Sequence, residues 1–289
     1  MHFKEVKGIL SSKNGMNISR GCIHGCIYCD ARSKCYNMDH VFEDVEIKIN
    51  APELLEQKLK TKRKKCMIGT GAMSDPYIPI PENLNNIRTC LEIIEKYRCG
   101  LAIQTKSSLI LRDLDLLIKI NNNAKCIVEI TLTSFDESLC RIVEPNVSTT
   151  KERFEILKTM RDNGIQTIVW LSPILPFIND TEENIRGILH YCIEAKVYGI
   201  LCFEMGLTLR EGDREYFYEK LDVHFPGLKQ KYQSKYGNNY ILKSDRNKTL
   251  MEIFNKTCHD NNIVCDNDEL FRYMSAFEEN EKRQLYLFE

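Results

Sequence analysis

The residues best suited to chemistry are three cysteines in the segment GCIHGCIYCD. Cys22, Cys26 and Cys29 follow the spacing Cys-x3-Cys-x2-Cys directly after a short β-type run. Cysteine thiolates are the usual ligands of iron-sulfur clusters, and a cubane cluster contains four irons. Three protein ligands therefore leave one iron open to another molecule. The spacing predicts a 4Fe-4S cluster with one free coordination position.

A zinc ion is the alternative metal that these thiols could bind. A structural zinc ion requires a fourth ligand, which Cys35, His24 or His40 can supply. Structural zinc is usually held by two separated ligand pairs rather than by one tight run. Three purely structural cysteines so close together in a glycine-bearing loop would not share one face of a core. We therefore favour the cluster, with Cys35 as a bystander.

The composition limits the classes of protein to which the chain can belong. Forty basic and 41 acidic residues give a formal net charge of −1 over 289 residues, so any nucleic-acid surface must be local. The N-terminus lacks the pattern of a signal peptide. The longest uncharged stretch, 165–179, is shorter than the roughly 20 apolar residues that span a bilayer. We expect a cytoplasmic protein without membrane contact, in which the 13 cysteines are reduced.

Short β-type runs alternate with helical patterns, which is typical of βα units around a parallel sheet. Strands are predicted at 16–19, 66–69, 101–105, 126–133, 165–171 and 199–204. Helices are predicted at 51–60, 82–97, 111–120, 150–163 and 181–195. Every crossover has room for a helix, and right-handed winding curls such a sheet toward a barrel. The predicted fold class is α/β, a partial (β/α)6 TIM-like barrel.

The pattern changes at about Gly206, where charged helical segments replace the βα alternation. Helices are predicted at 214–221, 228–236 and 249–259, with no further strong strand. We therefore predict a core barrel at 1–205, a helical C-terminal extension at 206–280 and a separate tail at 281–289.

The cysteine motif resembles that of the radical S-adenosylmethionine (SAM) superfamily. Four further segments carry a resemblance to its spore photoproduct lyase-like branch, from about Met16 to Ile185: GTGAMSDPYIPIPE, QTKSSLILRDLDLL, EITLTSFDESLCRIVEPNVSTTKERFEILKTMRDNGI and LSPILPFINDTEENI. The resemblance implies that the open iron binds the amino and carboxylate groups of SAM. One electron then cleaves the sulfonium and yields a 5′-deoxyadenosyl radical, which abstracts a substrate hydrogen. A flavodoxin- or ferredoxin-type protein is the implied electron donor.

The resemblance also implies which residues contact SAM. Tyr28 matches an aromatic residue that borders the adenine, with Leu171 to Pro176 on the same side. Ser74 and Asp75 match the strand end that contacts the amino group, and an acidic side chain suits a cationic ammonium. Ser134 is placed to reach the ribose. Arg153 is placed to form a forked pair with the carboxylate.

Lys106, at the end of the third predicted strand, is expected to face the substrate. Ordinary structural roles remain open for all of these residues: a core tyrosine, an Asp-Pro turn, a solvated helix charge and a surface lysine. Glu144 and Pro145 match an acidic-proline pair of the branch to which the sequence assigns no role.

The chain departs from the lyase pattern at two places. Ala72 stands where the lyase, as we align it, carries a hydrogen-donating cysteine. This argues against thymine-dimer repair itself, although Cys66, Cys140 or a tyrosine can donate instead. Ile78 and Pro79 stand where relatives often carry a glutamine and a proline, so the substrate pocket is expected to differ.

The last residues, KRQLYLFE, fit the Gln-Leu-x-Leu-Phe pattern by which bacterial replication and repair proteins bind the sliding clamp. The matching residues are Gln284, Leu285, Leu287 and Phe288. A tail of this kind offers a glutamine and three apolar anchors to a groove. The alternative is an apolar strip that packs on its own domain. The pattern predicts the clamp as a partner and favours a DNA-linked task.

Three hypotheses about function follow. The first is a radical SAM enzyme with a spore photoproduct lyase-like reaction on a substrate that the sequence does not identify, for which a nucleobase in DNA is one candidate. The basic segments 58–65 and 229–235 are two local surfaces for its phosphates, or else solvated helix faces. The second is radical SAM modification of a peptide or a small metabolite. The third is a non-catalytic iron-sulfur or zinc scaffold that recruits partners through its tail.

Overall fold

The computed structural model describes residues 1–278 of the chain. The strands of this part are β1 (His2–Lys4), β2 (Gly15–Met16), β3 (Ser19–Arg20), β4 (Glu46–Lys48), β5 (Met67–Thr70), β6 (Gly100–Thr105), β7 (Cys126–Thr131), β8 (Gln166–Trp170), β9 (Gly199–Leu201), β10 (Gly206–Thr208) and β11 (Ile241–Lys243).

The α-helices of the same residues are α1 (Ala51–Thr61), α2 (Pro81–Lys96), α3 (Leu114–Asn123), α4 (Glu137–Val143), α5 (Thr150–Asp162), α6 (Glu182–Ala195), α7 (Asp213–His224), α8 (Leu228–Tyr236), α9 (Asn247–Asp260) and α10 (Asn267–Ser275). Short 3-10 helices cover Asp30–Arg32, Lys34–Tyr36 and Ser108–Asp113.

Six parallel strands form the central sheet, in the spatial order β2-β5-β6-β7-β8-β9. Their order follows the chain, and helices connect successive strands from β5 to β9. The sequence predicted this architecture, and the α/β partial barrel is confirmed. Helix α5 shows how capping residues in the sequence allow the ends of a helix to be predicted. Thr149 and Glu152 form a reciprocal capping box at its start, and Gly164 follows its end with a φ of +70°.

The predicted strand at 16–19 is wrong as one element. The chain leaves the barrel after β2 and enters a separate sheet of order β1-β4-β3, in which β3 pairs antiparallel with β4. Two- and three-residue strands carry too little alternation to be assigned from sequence. The predicted helix at 111–120 also begins later, as α3, because its first turn is part of a 3-10 helix.

The prediction of no further strong strand from about Gly206 onward missed two strands of three residues each. β10 and β11 form an antiparallel ribbon, with Leu207 opposite Leu242. Helix α10, which the sequence did not predict, lies at the amino ends of the barrel strands. There Leu270 and Met274 pack with Met67 and Ile127. The residues after Gly206 therefore contribute to both ends of the barrel. No helix within 1–278 combines the length and apolar character needed to cross a membrane.

Candidate active site

A cavity of about 630 Å³ lies at the carboxyl ends of the barrel strands. The cluster loop after β3, the ends of β5, β6 and β8, and the β10–β11 ribbon form its walls. Parallel barrels assemble their sites at this end because the loops that follow the strands meet there. The cavity is therefore the place to look for the predicted site residues.

Cys22, Cys26 and Cys29 all line this cavity. The backbone holds the loop in place: the N–H of Cys22 donates to the carbonyl of Phe42 at 3.1 Å, and that of Cys29 to the carbonyl of Cys26 at 3.3 Å. Gly21 has a φ of +81°, and a Cβ there would stand 2.4 Å from the Phe42 oxygen, so only glycine fits.

The donor set of the loop fits an iron-sulfur cluster better than a single zinc ion. Zn–S bonds of about 2.3 Å would hold the sulfurs within roughly 4 Å of one another. Among the described residues, the three thiols do not form a group whose ligand atoms all lie within 4.8 Å. Burial raises the pKa of Cys22 to about 12 and that of Cys26 well above its ordinary value. Metal binding would replace the protons that these thiols otherwise keep.

Tyr28 lines the cavity and is fixed from behind by a buried ion pair. Its hydroxyl donates to Glu144, whose other carboxylate oxygen accepts from Arg153. Arg153 also donates to the carbonyl of Thr131 at 2.6 Å and to the sulfur of Cys140 at 3.1 Å. Burial raises the pKa of Glu144, but Arg153, Lys106 and the hydrogen bond from Tyr28 together hold that pKa below its usual range. The sequence assigned no role to Glu144, and here it anchors the tyrosine.

Arg153 does not reach the cavity, contrary to its predicted contact with a SAM carboxylate. Its side chain is fully buried and is committed to Glu144. Ser134 is also placed elsewhere. It is fully buried, its Oγ accepts from Asn179 at 3.2 Å, and it is not among the lining residues. Both residues lie in the barrel wall behind the site, so their predicted SAM contacts are corrected.

Ser74 and Asp75 line the cavity as predicted. The hydroxyl of Ser74 donates to the carbonyl of Gly21 at 2.7 Å, which ties the end of β5 to the cluster loop. The carboxylate of Asp75 accepts from the hydroxyl of Thr105 at 2.7 Å and from the backbone N–H of Lys106 at 2.8 Å. Asp75 is thus held rigidly at the junction of two strands.

Lys106 and His24 line the cavity next to Asp75 and Tyr28. Lys106 contributes an ammonium group and His24 an imidazole ring. The Nδ1 atom of His24 lies 3.4 Å from Asp75, and the ammonium of Lys106 lies 6.0 Å from the ring centre of Tyr28. Burial lowers the pKa of Lys106, but Cys26, Glu144 and Asp75 raise it above its ordinary value. The structure therefore brings the predicted Lys106 into the cavity, close to the cluster loop.

A second part of the cavity wall is mostly aromatic, and sequence reasoning missed it. Trp170, Phe203, Tyr240 and Ile241 line the cavity on this side. The indole N–H of Trp170 donates to Glu129 at 2.6 Å inside the barrel. Burial raises the pKa of Glu129 to about 7, although that hydrogen bond opposes the shift. The one signal in the sequence was that Trp170 is the only tryptophan of the chain.

The cysteines considered as hydrogen donors lie away from the site. Cys66 and Cys140 do not line the cavity, and within 1–278 its only lining cysteines are those of the cluster motif. Ala72, at the position of the lyase cysteine, does line it. The clamp motif, Gln284, Leu285, Leu287 and Phe288, lies outside the described residues.

Comparisons with known proteins agree with this geometry. A family model described as the radical SAM superfamily matches residues 16–192. An uncharacterized protein of Methanocaldococcus jannaschii is 36% identical over 176 residues, which are 60% of this chain and 65% of that protein. An uncharacterized protein of Mycobacterium tuberculosis is 27% identical over 245 residues, covering 82% of this chain and 71% of that protein.

Two solved structures show the same fold at low identity. Spore photoproduct lyase complexed with dinucleoside spore photoproduct has a TM-score of 0.61 at 14% identity, covering 84% of this chain and 72% of the lyase. The radical SAM methyltransferase TsrM from Kitasatospora setae, with cobalamin and a [4Fe-4S] cluster bound, has a TM-score of 0.52 at 16% identity. That match covers 68% of this chain and 37% of the methyltransferase.

Proposed function

The chain belongs to the radical SAM superfamily, and from this premise we propose that it abstracts a hydrogen atom from a nucleobase in DNA. When bound, the 4Fe-4S cluster and SAM supply a 5′-deoxyadenosyl radical, after a flavodoxin- or ferredoxin-type donor gives one electron. The reaction would be related to that of spore photoproduct lyase. The residues of this chain then have to hold the cofactors, position the base and exclude water.

The cluster side of the cavity is suited to the first task. Cys22, Cys26 and Cys29 would each bind one iron of the cluster, and the ring of Tyr28, fixed by Glu144, forms a firm wall beside these cysteines. Asp75 places a carboxylate on the same wall, where a cationic amino group would be favoured. We assign SAM to this side on the strength of these neighbours.

The aromatic rim, which we define as Phe203, Tyr240 and Ile241, carries the proposal of a nucleobase. Phe203 is 51% exposed, Tyr240 44% and Ile241 57%, yet all three line the cavity that holds the cluster thiols. Flat apolar side chains at the mouth of a site suit bases, because every base has a π-face on which to stack. Chemistry on a duplex base requires the base to leave the stack and enter a pocket.

Basic side chains stand beside the rim. The guanidinium of Arg210 lies 4.8 Å from the ring centre of Tyr240 and donates to its hydroxyl at 2.7 Å. Lys243 lines the cavity and pairs with Glu204. A chain with a net charge of −1 needs such a local surface to meet phosphates.

The hydrogen donor of the final step differs from that expected of the lyase. Within 1–278, no cysteine besides the three cluster ligands lines the cavity. We therefore propose a lyase-related reaction and not thymine-dimer repair by a thiol donor.

The test compares DNA with other substrates in the same assay. Cluster-loaded protein is given SAM and dithionite with ultraviolet-irradiated or intact oligonucleotides, or with peptides, and 5′-deoxyadenosine and DNA binding are measured. We expect binding of DNA and faster 5′-deoxyadenosine formation with one of the oligonucleotides. Phe203→Ala should weaken DNA binding by roughly 5- to 150-fold, since stacking contributes about 1–3 kcal/mol per base. Phe3→Ala, at a phenylalanine that is 52% exposed on β1, should leave it unchanged.

Equal DNA binding by the Phe203→Ala and Phe3→Ala variants would contradict a role for the rim. Stimulation by a peptide alone would move the chain to the peptide-modifying class and leave its place in the superfamily intact.

We also propose that the chain binds the bacterial sliding clamp through Gln284, Leu285, Leu287 and Phe288, and that it works in the cytoplasm. The sequence pattern at 284–288 supports this proposal. Deletion of the last six residues should abolish binding to immobilised clamp while 5′-deoxyadenosine formation persists. Unchanged affinity for the clamp would reject it.

A further inference from the structure

A second group of metal-ligating side chains lies at the three-stranded sheet, outside the cavity. His2, His40 and Asp44 each offer one imidazole nitrogen or carboxylate oxygen, and these atoms lie within 4.8 Å of one another. None of the three lines the cluster cavity. We propose that His2, His40 and Asp44 bind a divalent transition-metal ion of the zinc type.

The distances between the ligand atoms suit one shared ion. Two ligands that stand about 2.1 Å from a zinc ion lie roughly 3.0–3.4 Å from each other. The Nδ1 atom of His2 is 2.9 Å from the Oδ2 atom of Asp44. The rings of His2 and His40 meet edge to face, with centres 4.8 Å apart. All three ligand atoms lie within 4.8 Å of one another, close to the spacing of ligands that share one ion.

The hydrogen bonding of His40 selects the tautomer that binds metals. Its Nδ1 atom lies 3.0 Å from the carbonyl oxygen of Val41, and since a carbonyl only accepts, Nδ1 must carry the proton. A ligating histidine typically donates its other ring N–H to a carbonyl or carboxylate in this way. The Nε2 atom of His40 is buried and has no hydrogen-bond partner among the described residues. A buried nitrogen without a partner is costly, and a metal ion would satisfy it.

Glu46 faces the other ring nitrogen of His2. Its Oε2 atom lies 3.9 Å from Nε2 of His2, whereas Nδ1 faces Asp44, and Glu46 belongs to a second group, Asp39, His40 and Glu46, whose ligand atoms lie within 4.8 Å of one another. Two imidazoles with carboxylates favour zinc, copper, iron or nickel over magnesium and calcium, which prefer oxygen ligands alone. The chemistry of the set therefore specifies a transition ion.

Two cations already neutralise part of this acidic surface. The amino group of Met1 lies 2.8 Å from the Oδ1 atom of Asp44, and the ammonium of Lys4 lies 2.7 Å from Glu46. The contact of Met1 uses the other oxygen of Asp44, so Oδ2 stays directed at His2. Lys4 competes for Glu46, and for this reason we assign the ion to His2, His40 and Asp44 first.

The proposed ion would connect β1 to the segment that supports the cluster loop. His2 begins β1, whereas His40 and Asp44 flank Phe42, whose carbonyl accepts the N–H of Cys22. Binding of the ion would stabilise the segment beside the first cluster ligand. This inference does not depend on the proposed substrate.

The experiment is a calorimetric titration of cluster-loaded, chelator-treated full-length protein with Zn²⁺ alone. We expect one zinc ion per chain. His2→Ala and His40→Ala should each weaken binding about 100-fold or more, since even the loss of an outer-shell partner costs 10- to 100-fold. His2 and Asp44 are 39% and 43% exposed, so the His2→Ala variant should remain folded, with an unchanged melting temperature in chelator. His190→Ala is the matched control, at an exposed histidine that also lies near a glutamate.

Absence of saturable zinc binding by the wild type would overturn the proposal. Equal binding by wild type, His2→Ala and His40→Ala would place the ion elsewhere. Binding that is lost in Cys26→Ser and retained in His2→Ala would place it at the cluster thiols. A melting temperature that rises with zinc in the wild type and in His190→Ala, but not in His2→Ala, would support it.

Discussion

The two walls of the cavity are built in opposite ways. On the cluster wall, Cys22, Cys26 and Tyr28 are all buried, and Tyr28 rests on the fully buried Glu144–Arg153 pair. On the aromatic rim, Phe203 and Tyr240 are about half exposed. Exposed apolar side chains beside a cavity are typical of a surface that meets a ligand.

The difference separates what holds the cofactors from what selects the substrate. A buried ion pair has a large desolvation cost, so it is weak evidence for stability, and it is better understood as fixing one geometry. Here that geometry is the position of Tyr28 beside the cluster ligands. The rim residues Phe203 and Tyr240 are instead about half exposed, which suits a surface that must admit a large substrate.

The largest expected effect is on the cluster wall. Cys26→Ser should reduce the iron content of reconstituted protein from about four per chain to less than one and abolish 5′-deoxyadenosine formation, because a cubane needs its thiolate ligands. Cys35→Ser, at an exposed cysteine a few residues away, should retain both iron and product. Equal losses of iron and of 5′-deoxyadenosine formation in the two variants would contradict the assignment of Cys26, but not Cys35, as a cluster ligand.

The next effect concerns the support of the same wall. Arg153→Met should destabilise the fold by about 3–5 kcal/mol, because it leaves the charge of Glu144 buried without a partner. Urea denaturation measures this. Arg161→Met, on the same helix but at a partly exposed arginine, should change the free energy of unfolding by less than about 0.5 kcal/mol. A small effect of Arg153→Met would show that the pair is dispensable.

Trp170, which lines the cavity with the aromatic rim, donates a hydrogen bond to the titratable side chain of Glu129. Its pKa is raised by burial to about 7, so the folded state holds a proton that the unfolded state releases at an ordinary pKa of 4.5. The stabilising contribution is complete below about pH 4.5 and is lost as the pH rises through about 7. Relative to Glu129→Gln, the wild type should lose up to about 3 kcal/mol between pH 5 and pH 8. Parallel pH profiles of unfolding would contradict this.

The smallest effects compare single side chains on the two walls. Tyr28→Phe should cost about 1–3 kcal/mol of stability, because an acceptor on Glu144 loses its donor in a buried site. Phe203→Ala on the rim should change stability by no more than about 0.5 kcal/mol. Urea denaturation of both variants tests the contrast, and a larger cost at Phe203 than at Tyr28 would reverse it.

Local patterns allowed the barrel and the cluster loop to be predicted from sequence. The spacing and the family resemblance predict Cys22, Cys26 and Cys29 as cluster ligands, and the sequence of helix α5 shows its capping residues. The hydrogen bond from Tyr28 to Glu144 could not be predicted from local patterns, because the two residues are 116 positions apart in the chain. The sequence predicted Arg153 as a ligand of the SAM carboxylate, with a solvated helix charge as the alternative, because its burial depends on contacts with Glu144 and Thr131 that local sequence does not encode. The ribbon of β10 and β11 was missed because three-residue strands far apart in the chain carry no periodicity.

The assignment to the cluster wall is tested most directly by anaerobic reconstitution with iron and sulfide, followed by dithionite and SAM. We expect about four irons per chain and formation of 5′-deoxyadenosine that depends on both the reductant and SAM. Cluster-loaded protein that releases no 5′-deoxyadenosine, or thiols that bind zinc in place of iron, would contradict the account.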